Sequence, residues 1–329
     1  MAPLIPLPTS LVPFVEPYLP PTLARSGTDN TTPSSRRHNS ILLSPGNCLP
    51  FITLTYAQSL DSRITMEAGA QTVISHQETK TMTHYLRSKH DGLLVGVNTI
   101  MADDPALNCR YNEKEEEVYQ SNGNGLINST STLTTTPRKP RHFIRPIIVD
   151  PKFKFMERYD NSRICKNFKD QVGLAPIIVI SERTLNDEVE EFCKEREITL
   201  IVLNSNSSTN SDCNSSLTPT PTSTTSSNSK NDFKFSWLDI FKSLKHLGLS
   251  SIMVEGGANV INDLLNTRYD DSNDFIVDSL IITIGPTFLG EKGVEVSPPA
   301  GVKLKDITWW TGSQDSVLCA RLNEFHVTV

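Results

Sequence analysis

Residues 251–265 read SIMVEGGANVINDLL, and this stretch decides the fold. The apolar run Ser251–Glu255 indicates a buried strand, and 259–266 follow helical spacing. The two glycines between them let the backbone approach a phosphate, which the helix N-terminus would attract. A tight turn without a ligand explains these glycines about as well. Glu255 is less ordinary, because a carboxylate at the end of a parallel strand points into the crevice where α/β sheets bind ligands.

The rest of the chain alternates in the same way. Helical patterns are predicted over 76–90, 184–197 and 237–247, each with an apolar face. Strands separated by helices predict an α/β fold with a mostly parallel central sheet. The last stretch, 316–329, has no helix after it and is predicted to pair antiparallel with 279–284. Further strands are predicted at Ile52–Ala57, Gly92–Val97, Pro146–Asp150, Pro176–Ile180, Ile198–Leu203 and Ser279–Ile284.

The composition indicates a globular domain diluted by polar segments. Of the 329 residues only 37% are hydrophobic, whereas apolar residues with glycine make up about half of an ordinary globular protein. Residues 1–48, 112–141 and 204–232 are polar, proline-rich or acidic and show no apolar periodicity, so we expect them to be disordered. The prediction is a disordered N-terminal tail followed by one domain over 49–329 with two insertions.

Charge, cysteines and hydropathy exclude several classes of protein. A net charge of -6 argues against a nucleic-acid-binding surface, and no apolar run approaches the roughly 20 residues of a membrane span. The six cysteines form no C-x-x-C pair, which is typical of reduced thiols in a cytoplasmic protein. His76 and Glu78 match half of a zinc deaminase signature, but P-C-x-x-C is absent. We therefore predict no metal and interpret His76 as the start of a helix.

A second candidate site follows the strand predicted at Gly92–Val97, in the stretch GVNTIMADDPALNCR over 96–110. Thr99 is placed to donate to a phosphate or ribose, and Asp103 to cap N–H groups or accept from a sugar hydroxyl. Arg110 could clamp a phosphate through two parallel hydrogen bonds. A capped turn followed by a solvated arginine is an equally good explanation of the stretch alone.

Two further strand ends carry small or polar residues. One is YAQSLDSRI over 56–64, and the other holds Ser181 and Arg183. A serine and an arginine there suit the 2′-phosphate of NADP, where an acidic residue would instead bind the ribose of NAD. A plain helix N-cap at Ser181 is the competing explanation.

Six stretches in this order closely resemble the reductases of riboflavin biosynthesis, in particular those of fungal type. They are YAQSLDSRI, ISHQETKTMTHYLR, GVNTIMADDPALNCR, RPIIVD, VEGGANVINDLL and DSLIITIGPTFLG. The resemblance covers about 49–111, 142–203 and 235–329. It implies a dihydrofolate-reductase-like fold, a homodimer and NADPH as the hydride donor. It also implies reduction of the ribosylamino group of a phosphorylated pyrimidine to a ribitylamino group.

The resemblance further implies roles for individual residues. Ala57 would line the nicotinamide end of the cofactor, and Leu203 is the weaker cofactor candidate. The arginines among the substrate residues would hold its 5′-phosphate. The implied NADPH contacts are Ala57, Thr99, Asp103, Ser181, Leu203, Gly256, Gly257, Ala258 and Asn259, and the implied substrate contacts are Arg87, Leu107, Arg110 and Glu255.

The expected chemistry needs little acid–base machinery. Opening of the phosphoribosylamine to its imine gives a carbon that accepts hydride, so the protein mainly has to hold donor and acceptor together. We expect Glu255 or Asp61 to stabilise or protonate the sugar during opening, with a bound water as the alternative. Two other functions stay open, a related reductase acting on another pyrimidine- or pteridine-like substrate and a non-catalytic NADPH-binding protein.

Overall fold

The computed structural model describes residues 4–21, 49–70, 72–112, 143–204, 235–269 and 272–324. Its strands are β1 (Phe51–Gln58), β2 (Arg63–Thr65), β3 (Gly92–Gly96), β4 (Arg145–Val149), β5 (Ile177–Ser181), β6 (Thr199–Leu203), β7 (Ser251–Gly256), β8 (Ser279–Ile284), β9 (Val294–Glu295), β10 (Lys303–Thr311) and β11 (Ser316–Asn323). Its α-helices are α1 (Leu11–Val15), α2 (Gln77–Arg87), α3 (Val97–Asp103), α4 (Arg163–Lys169), α5 (Asp187–Glu195), α6 (Trp237–His246) and α7 (Ala258–Leu264). Short 3₁₀ helices lie at Glu16–Tyr18, Lys154–Asn161 and Glu182–Thr184.

Nine of these strands form one sheet in the order β10-β11-β8-β1-β7-β3-β4-β5-β6. The strands from β8 to β6 are parallel, and β11 and β10 continue the sheet antiparallel at one edge. The predicted mostly parallel sheet is confirmed, and so is the antiparallel pairing of 316–329 with 279–284 over β11 and β8. The prediction missed β10, because most residues of this edge strand are exposed and give no apolar run. Strands β2 and β9 form a separate antiparallel pair.

Helices cover both faces of the sheet, as expected for strands that are buried on two sides. Apolar residues of α2, α4 and α5 pack on one face, and those of α6 and α7 pack on the other. The helix predicted from residue 184 begins at Asp187, because the side chain of Asn186 accepts a hydrogen bond from the amide of Val189 at 2.9 Å. His76 is the N-cap residue of α2, which confirms its interpretation as a helix start. Within the described ranges, no helix combines the length and hydropathy that crossing a membrane requires.

The N-terminal segment 4–21 packs against the domain, so the prediction of disorder across 1–48 is wrong for these residues. Trp310 Nε1 donates to Ser10 Oγ at 3.0 Å, and Thr81 Oγ1 donates to the carbonyl of Ile5 at 3.0 Å. Four apolar side chains at helical spacing are at most 4% exposed, namely Leu7, Leu11, Val15 and Tyr18. The prolines of this segment concealed that spacing, although proline is compatible with the first turn of a helix. Residues 22–48 and nearly all of both predicted insertions lie outside the described residues.

Candidate functional site

A cleft of about 950 Å³ lies at the carboxyl ends of β1, β3 and β7. This is where parallel α/β sheets bind ligands, and the volume is typical of a site for a small molecule or cofactor. Residues that the sequence nominated line much of it: Ala57, Thr99, Asp103, Glu255, Gly257, Ala258 and Asn259. The other nominated residues lie outside the lining: Asp61, Arg87, Leu107, Arg110, Ser181, Leu203 and Gly256.

The paired glycines bring α3 and α7 together at the cleft. Gly256 has a φ of 114°, in the left-handed region that glycine adopts at no steric cost. Gly257 has an ordinary φ of -74°, but a Cβ atom there would come within 3.0 Å of Thr99 Oγ1. The turn therefore favours glycine at 256, and the close approach of Thr99 leaves little room for a side chain at 257. We call the surface formed by Ala57, Thr99, Asp103 and 257–259 the cofactor side of the cleft.

Asp103 gives the cofactor side an acceptor whose hydrogen bonding is incomplete. Its Oδ1 atom is buried and has no hydrogen-bond partner among the described residues. Burial raises the pKa of this carboxyl above its usual value. A buried acceptor without a partner costs free energy, and a ribose hydroxyl entering the cleft would remove that cost. The residues present thus fit a nucleotide cofactor.

Glu255, at the end of β7, lines the cleft and forms a bidentate ion pair with Arg87 of α2. Arg87 Nε donates to Glu255 Oε1 at 2.7 Å, and Arg87 Nη2 donates to Oε2 at 2.6 Å. The two side chains are only 14% and 17% exposed. Burial lowers the pKa of Arg87, but the charge and hydrogen bonds of Glu255 outweigh burial, and the net shift is upward. The guanidinium therefore stays charged beside the carboxylate.

A second arginine contact lies next to this pair. Arg110 Nε lies 3.0 Å from His84 Nε2, and Arg110 N lies 3.2 Å from His84 Nδ1. Burial, followed by the charges of Arg87 and Arg110, lowers the pKa of His84 to about 2, so the ring is neutral. A neutral imidazole accepts at one nitrogen only, so one of these contacts is its hydrogen bond. We call Glu255, Arg87, His84 and Arg110 the arginine side of the site.

The loop over 104–110 joins Asp103 on the cofactor side to Arg110 on the arginine side, and side chains from other elements hold it in place. Arg87 Nη1 donates to the carbonyl of Asn108 at 2.9 Å, and Asn167 Nδ2 donates to that of Ala106 at 2.9 Å. Leu107, between them, is 2% exposed and has a φ of 41°. Leu107 thus packs in the core beneath the loop, and its side chain does not line the cleft.

Asp61, one of the two carboxylates expected to stabilise or protonate the sugar, is held by another loop. Its carboxylate accepts hydrogen bonds from Ser59 Oγ and from the amides of Leu289 at 3.0 Å and Gly290 at 2.7 Å. The hydrogen bonds from Ser59 and Leu289 contribute most to lowering the pKa of Asp61 to about 2. Asp61 lies outside the lining of the cleft, and its role in protonating the sugar stays a prediction. Through these hydrogen bonds Asp61 connects the loop after β1 to the loop that contains Leu289 and Gly290.

Ser181 and Leu203 also lie outside the lining of the cleft. Ser181 is fully buried, and its Oγ accepts from the amide of Arg183 at 3.4 Å as the N-cap of the 3₁₀ helix Glu182–Thr184. The geometry therefore favours the N-cap explanation of Ser181. Leu203 ends β6, the outermost parallel strand, and packs against the core.

The sequence did not indicate several residues that lie in or beside the cleft. His84 lies one helical turn before Arg87 on α2. Residues at this spacing are neighbours on a helix, so the sequence could have placed the two side chains together. Thr65 at the end of β2, and Gly69 and Thr72 after it, also line the cleft, yet they form no motif. Trp237 also lines the cleft, and its Nε1 lies 3.3 Å from Asp263 Oδ2. Its place in an apolar helical pattern had indicated a core residue.

Known proteins resemble the chain over nearly its whole length. The sequence model of the protein family named RibD C-terminal domain matches residues 50–318. The 2,5-diamino-6-ribosylamino-4(3H)-pyrimidinone 5′-phosphate reductase of Debaryomyces hansenii is 43% identical over 97% of this chain and 99% of its own length. The protein of the same name from Saccharomyces cerevisiae is 41% identical over 83% of this chain and 87% of its own length.

Solved structures agree with this resemblance. The Saccharomyces cerevisiae riboflavin biosynthesis reductase Rib7 superposes with a TM-score of 0.61 and 36% identity, over 95% of this chain and all of its own. A Thermotoga maritima deaminase/reductase superposes with a TM-score of 0.50 and 18% identity, over 83% of this chain and 56% of its own. At that identity the second likeness concerns the fold alone.

Proposed function

The chain belongs to the family of RibD C-terminal domains, and from this premise we propose that it is an NADPH-dependent reductase of riboflavin biosynthesis. Its substrate would be 2,5-diamino-6-(5-phospho-D-ribosylamino)pyrimidin-4(3H)-one, whose ribosylamino group is reduced to a ribitylamino group. Six relatives that carry this substrate in their names are 36–43% identical to the chain, and a seventh, from Schizosaccharomyces pombe, is 25% identical. The observation that carries the proposal is a single cleft whose lining includes both the cofactor side and the Glu255 carboxylate.

The cofactor side would hold NADPH. Asp103 would accept from a ribose hydroxyl, Thr99 would donate to the ribose or a phosphate, and Gly257 and Ala258 would let the backbone approach the cofactor closely. Ala57, at the end of β1, would leave room for the nicotinamide ring. When bound, the nicotinamide supplies a hydride. The preference for NADPH over NADH is part of the proposal, and titration with both cofactors tests it.

The arginine side would hold the substrate. Arg110 would bind the 5′-phosphate, because a guanidinium matches the geometry of a phosphate. Opening of the sugar leaves a protonated imine, and Glu255 would stabilise that positive charge through its carboxylate. Since hydride addition to a protonated imine gives a neutral amine, a proton is needed only earlier, at the ring oxygen. Arg87 donates to both oxygens of Glu255, and the amides of Leu289 and Gly290 donate to Asp61, so a water molecule is our proposed donor.

The direct test follows NADPH oxidation at 340 nm with the diamino substrate and, in parallel, with its deaminated counterpart. We expect oxidation that prefers the diamino compound. Preference for the deaminated compound would keep the reductase but change its substrate. NADPH binding without oxidation of either compound would contradict the proposal and favour a binding protein.

A homodimer in the cytoplasm completes the proposal. The expectation of a dimer rests on the family resemblance, and β10 provides an edge strand with Trp309 59% exposed. Edge strands leave backbone groups available for pairing with another chain. Static light scattering of the purified protein tests this point, and a monomer at micromolar concentration would contradict it.

A further inference from the structure

We propose that residues 4–21 act as a clamp that holds α2 in position, so that the last turn of this helix presents His84 and Arg87 to the substrate. We call these residues the N-terminal clamp. The proposal rests on the proposed function, because it assigns to the clamp the placement of the arginine side. It goes beyond that function, since no residue of the clamp lines the cleft.

One set of contacts joins the clamp to α2. Thr81 Oγ1, in the middle of this helix, donates to the carbonyl of Ile5 at 3.0 Å, and Thr81 is 1% exposed. Apolar side chains of the clamp and of α2 belong to one buried cluster, namely Leu7, Leu11, Val15, Tyr18, Met82, Tyr85 and Leu86. His84 and Arg87 lie in the next turns of α2. Because a helix is continuous through its backbone hydrogen bonds, a shift at Thr81 moves both of these side chains.

A second set of contacts joins the clamp to the β10–β11 hairpin. Trp310 Nε1 donates to Ser10 Oγ at 3.0 Å. The hydroxyl of Tyr18 donates to the carbonyl of Asp306, at the point where the pairing of β10 with β11 is shifted by a β-bulge. A chain terminus is poorly ordered unless contacts tie it down, and these bonds attach the clamp to the hairpin at two points.

The same hairpin holds the first turn of α2. Asp315, in the turn between β10 and β11, is 2% exposed, and it accepts from the amide of His76 at 2.6 Å and from the hydroxyl of Thr79. The amide of Ser313 donates to Glu78 Oε2 at 2.8 Å. The hairpin therefore fixes the start of α2, and the clamp connects the middle of α2 to that hairpin. Two attachments along a helix fix its direction, which a single attachment does not do.

The test changes Leu11 to aspartate in the full chain and measures substrate and cofactor separately. Leu11 is fully buried, and a carboxylate there, away from water, detaches the clamp from its cluster. We expect the substrate KM to rise about tenfold, because misplacing a binding group by about 1 Å is costly. The kcat and the NADPH dissociation constant should stay unchanged. Leu11→Met, which nearly conserves the volume, should keep the wild-type KM.

A smaller change tests the contact with α2 directly and decides the matter if Leu11→Asp folds poorly. Thr81→Val leaves the carbonyl of Ile5 without its donor, so we expect the substrate KM to rise about threefold and Thr81→Ser to restore it. Thr83→Val is the matched control and should leave KM unchanged. Like Thr81, Thr83 donates to a carbonyl four residues earlier in α2, so this control removes the shared bond within the helix.

An unchanged substrate KM in Leu11→Asp and Thr81→Val, with a lower melting temperature, would overturn the proposal and leave the clamp a role in stability alone. Equal weakening of substrate and NADPH binding would also overturn it, because the cofactor side lies on other elements. Failure of the proposed function is separate, since the wild type would then not oxidise NADPH. Hydrogen–deuterium exchange decides in that case: Leu11→Asp should speed exchange in α2 and not in α7, and unchanged exchange in α2 would contradict the clamp.

Discussion

Asp103 and Glu255 line the same cleft, yet their surroundings differ. Both Glu255 oxygens accept hydrogen bonds from Arg87, whereas the buried Asp103 Oδ1 has no partner among the described residues. The Glu255–Arg87 pair on the arginine side therefore satisfies its own charges, and the cofactor side leaves hydrogen-bonding capacity for a ligand. Substitutions on the arginine side should thus cost both stability and rate. Substitutions on the cofactor side should cost binding while leaving stability equal or improved.

Glu255→Gln should have the largest effect. We expect kcat to fall about ten- to a hundredfold, because a charge-assisted hydrogen bond is worth roughly 1.5–3 kcal/mol. The melting temperature should also fall, since Arg87 loses its partner in a largely buried position. Steady-state kinetics and thermal unfolding measure the two effects, with NADPH binding as the control. An unchanged kcat would remove Glu255 from the chemistry.

Gly257→Ala should weaken cofactor binding next most strongly. The backbone of Gly257 is compatible with alanine, but the new Cβ would lie 3.0 Å from Thr99 Oγ1 and displace it by a few tenths of an ångström. We expect the NADPH dissociation constant to rise about tenfold, a loss comparable to one hydrogen bond. Fluorescence titration with NADPH measures this change. If substrate KM rose instead, the assignment of the two sides would be wrong.

Asp103→Asn separates binding from stability. We expect NADPH binding to weaken several-fold while the melting temperature at pH 7 rises. Burial raises the pKa of Asp103, so its ionised form costs stability above that pKa, and asparagine removes the cost. The gain should disappear below about pH 4, near the unfolded pKa of an aspartate, where the acid is protonated in both states. A lower melting temperature at pH 7 would show that Asp103 is a structural residue.

Asp61→Asn should affect stability alone. The folded pKa of Asp61 is lowered to about 2, so its contribution is complete above the unfolded pKa and is lost as the pH falls toward 2. The variant should melt below the wild type at pH 7, and the two should converge near pH 2. We expect kcat to stay unchanged, since Asp61 lies outside the lining of the cleft. A loss of kcat without a change in melting temperature would restore its catalytic role.

Much of the fold could be predicted because buried strands and helices require apolar residues at regular positions in the sequence. Parallel strands such as β5, buried at every position, give continuous apolar runs that local reading detects. Strand β10 was missed for the opposite reason, since an exposed edge strand needs no such run. Segment 4–21 was misread because its prolines outweighed the helical spacing of Leu7, Leu11 and Val15, which only contact with the domain explains.

The sequence by itself determined the parallel sheet, the glycine turn after β7 and the presence of a carboxylate at that strand end. These features depend on neighbours along the chain, and local patterns record them. Only the tertiary structure decided that Glu255 pairs with Arg87, 168 residues away, and that Asp61 is held by a distant loop. Hydrogen bonds between distant residues follow from the positions of whole elements, and no local pattern of residue types encodes them.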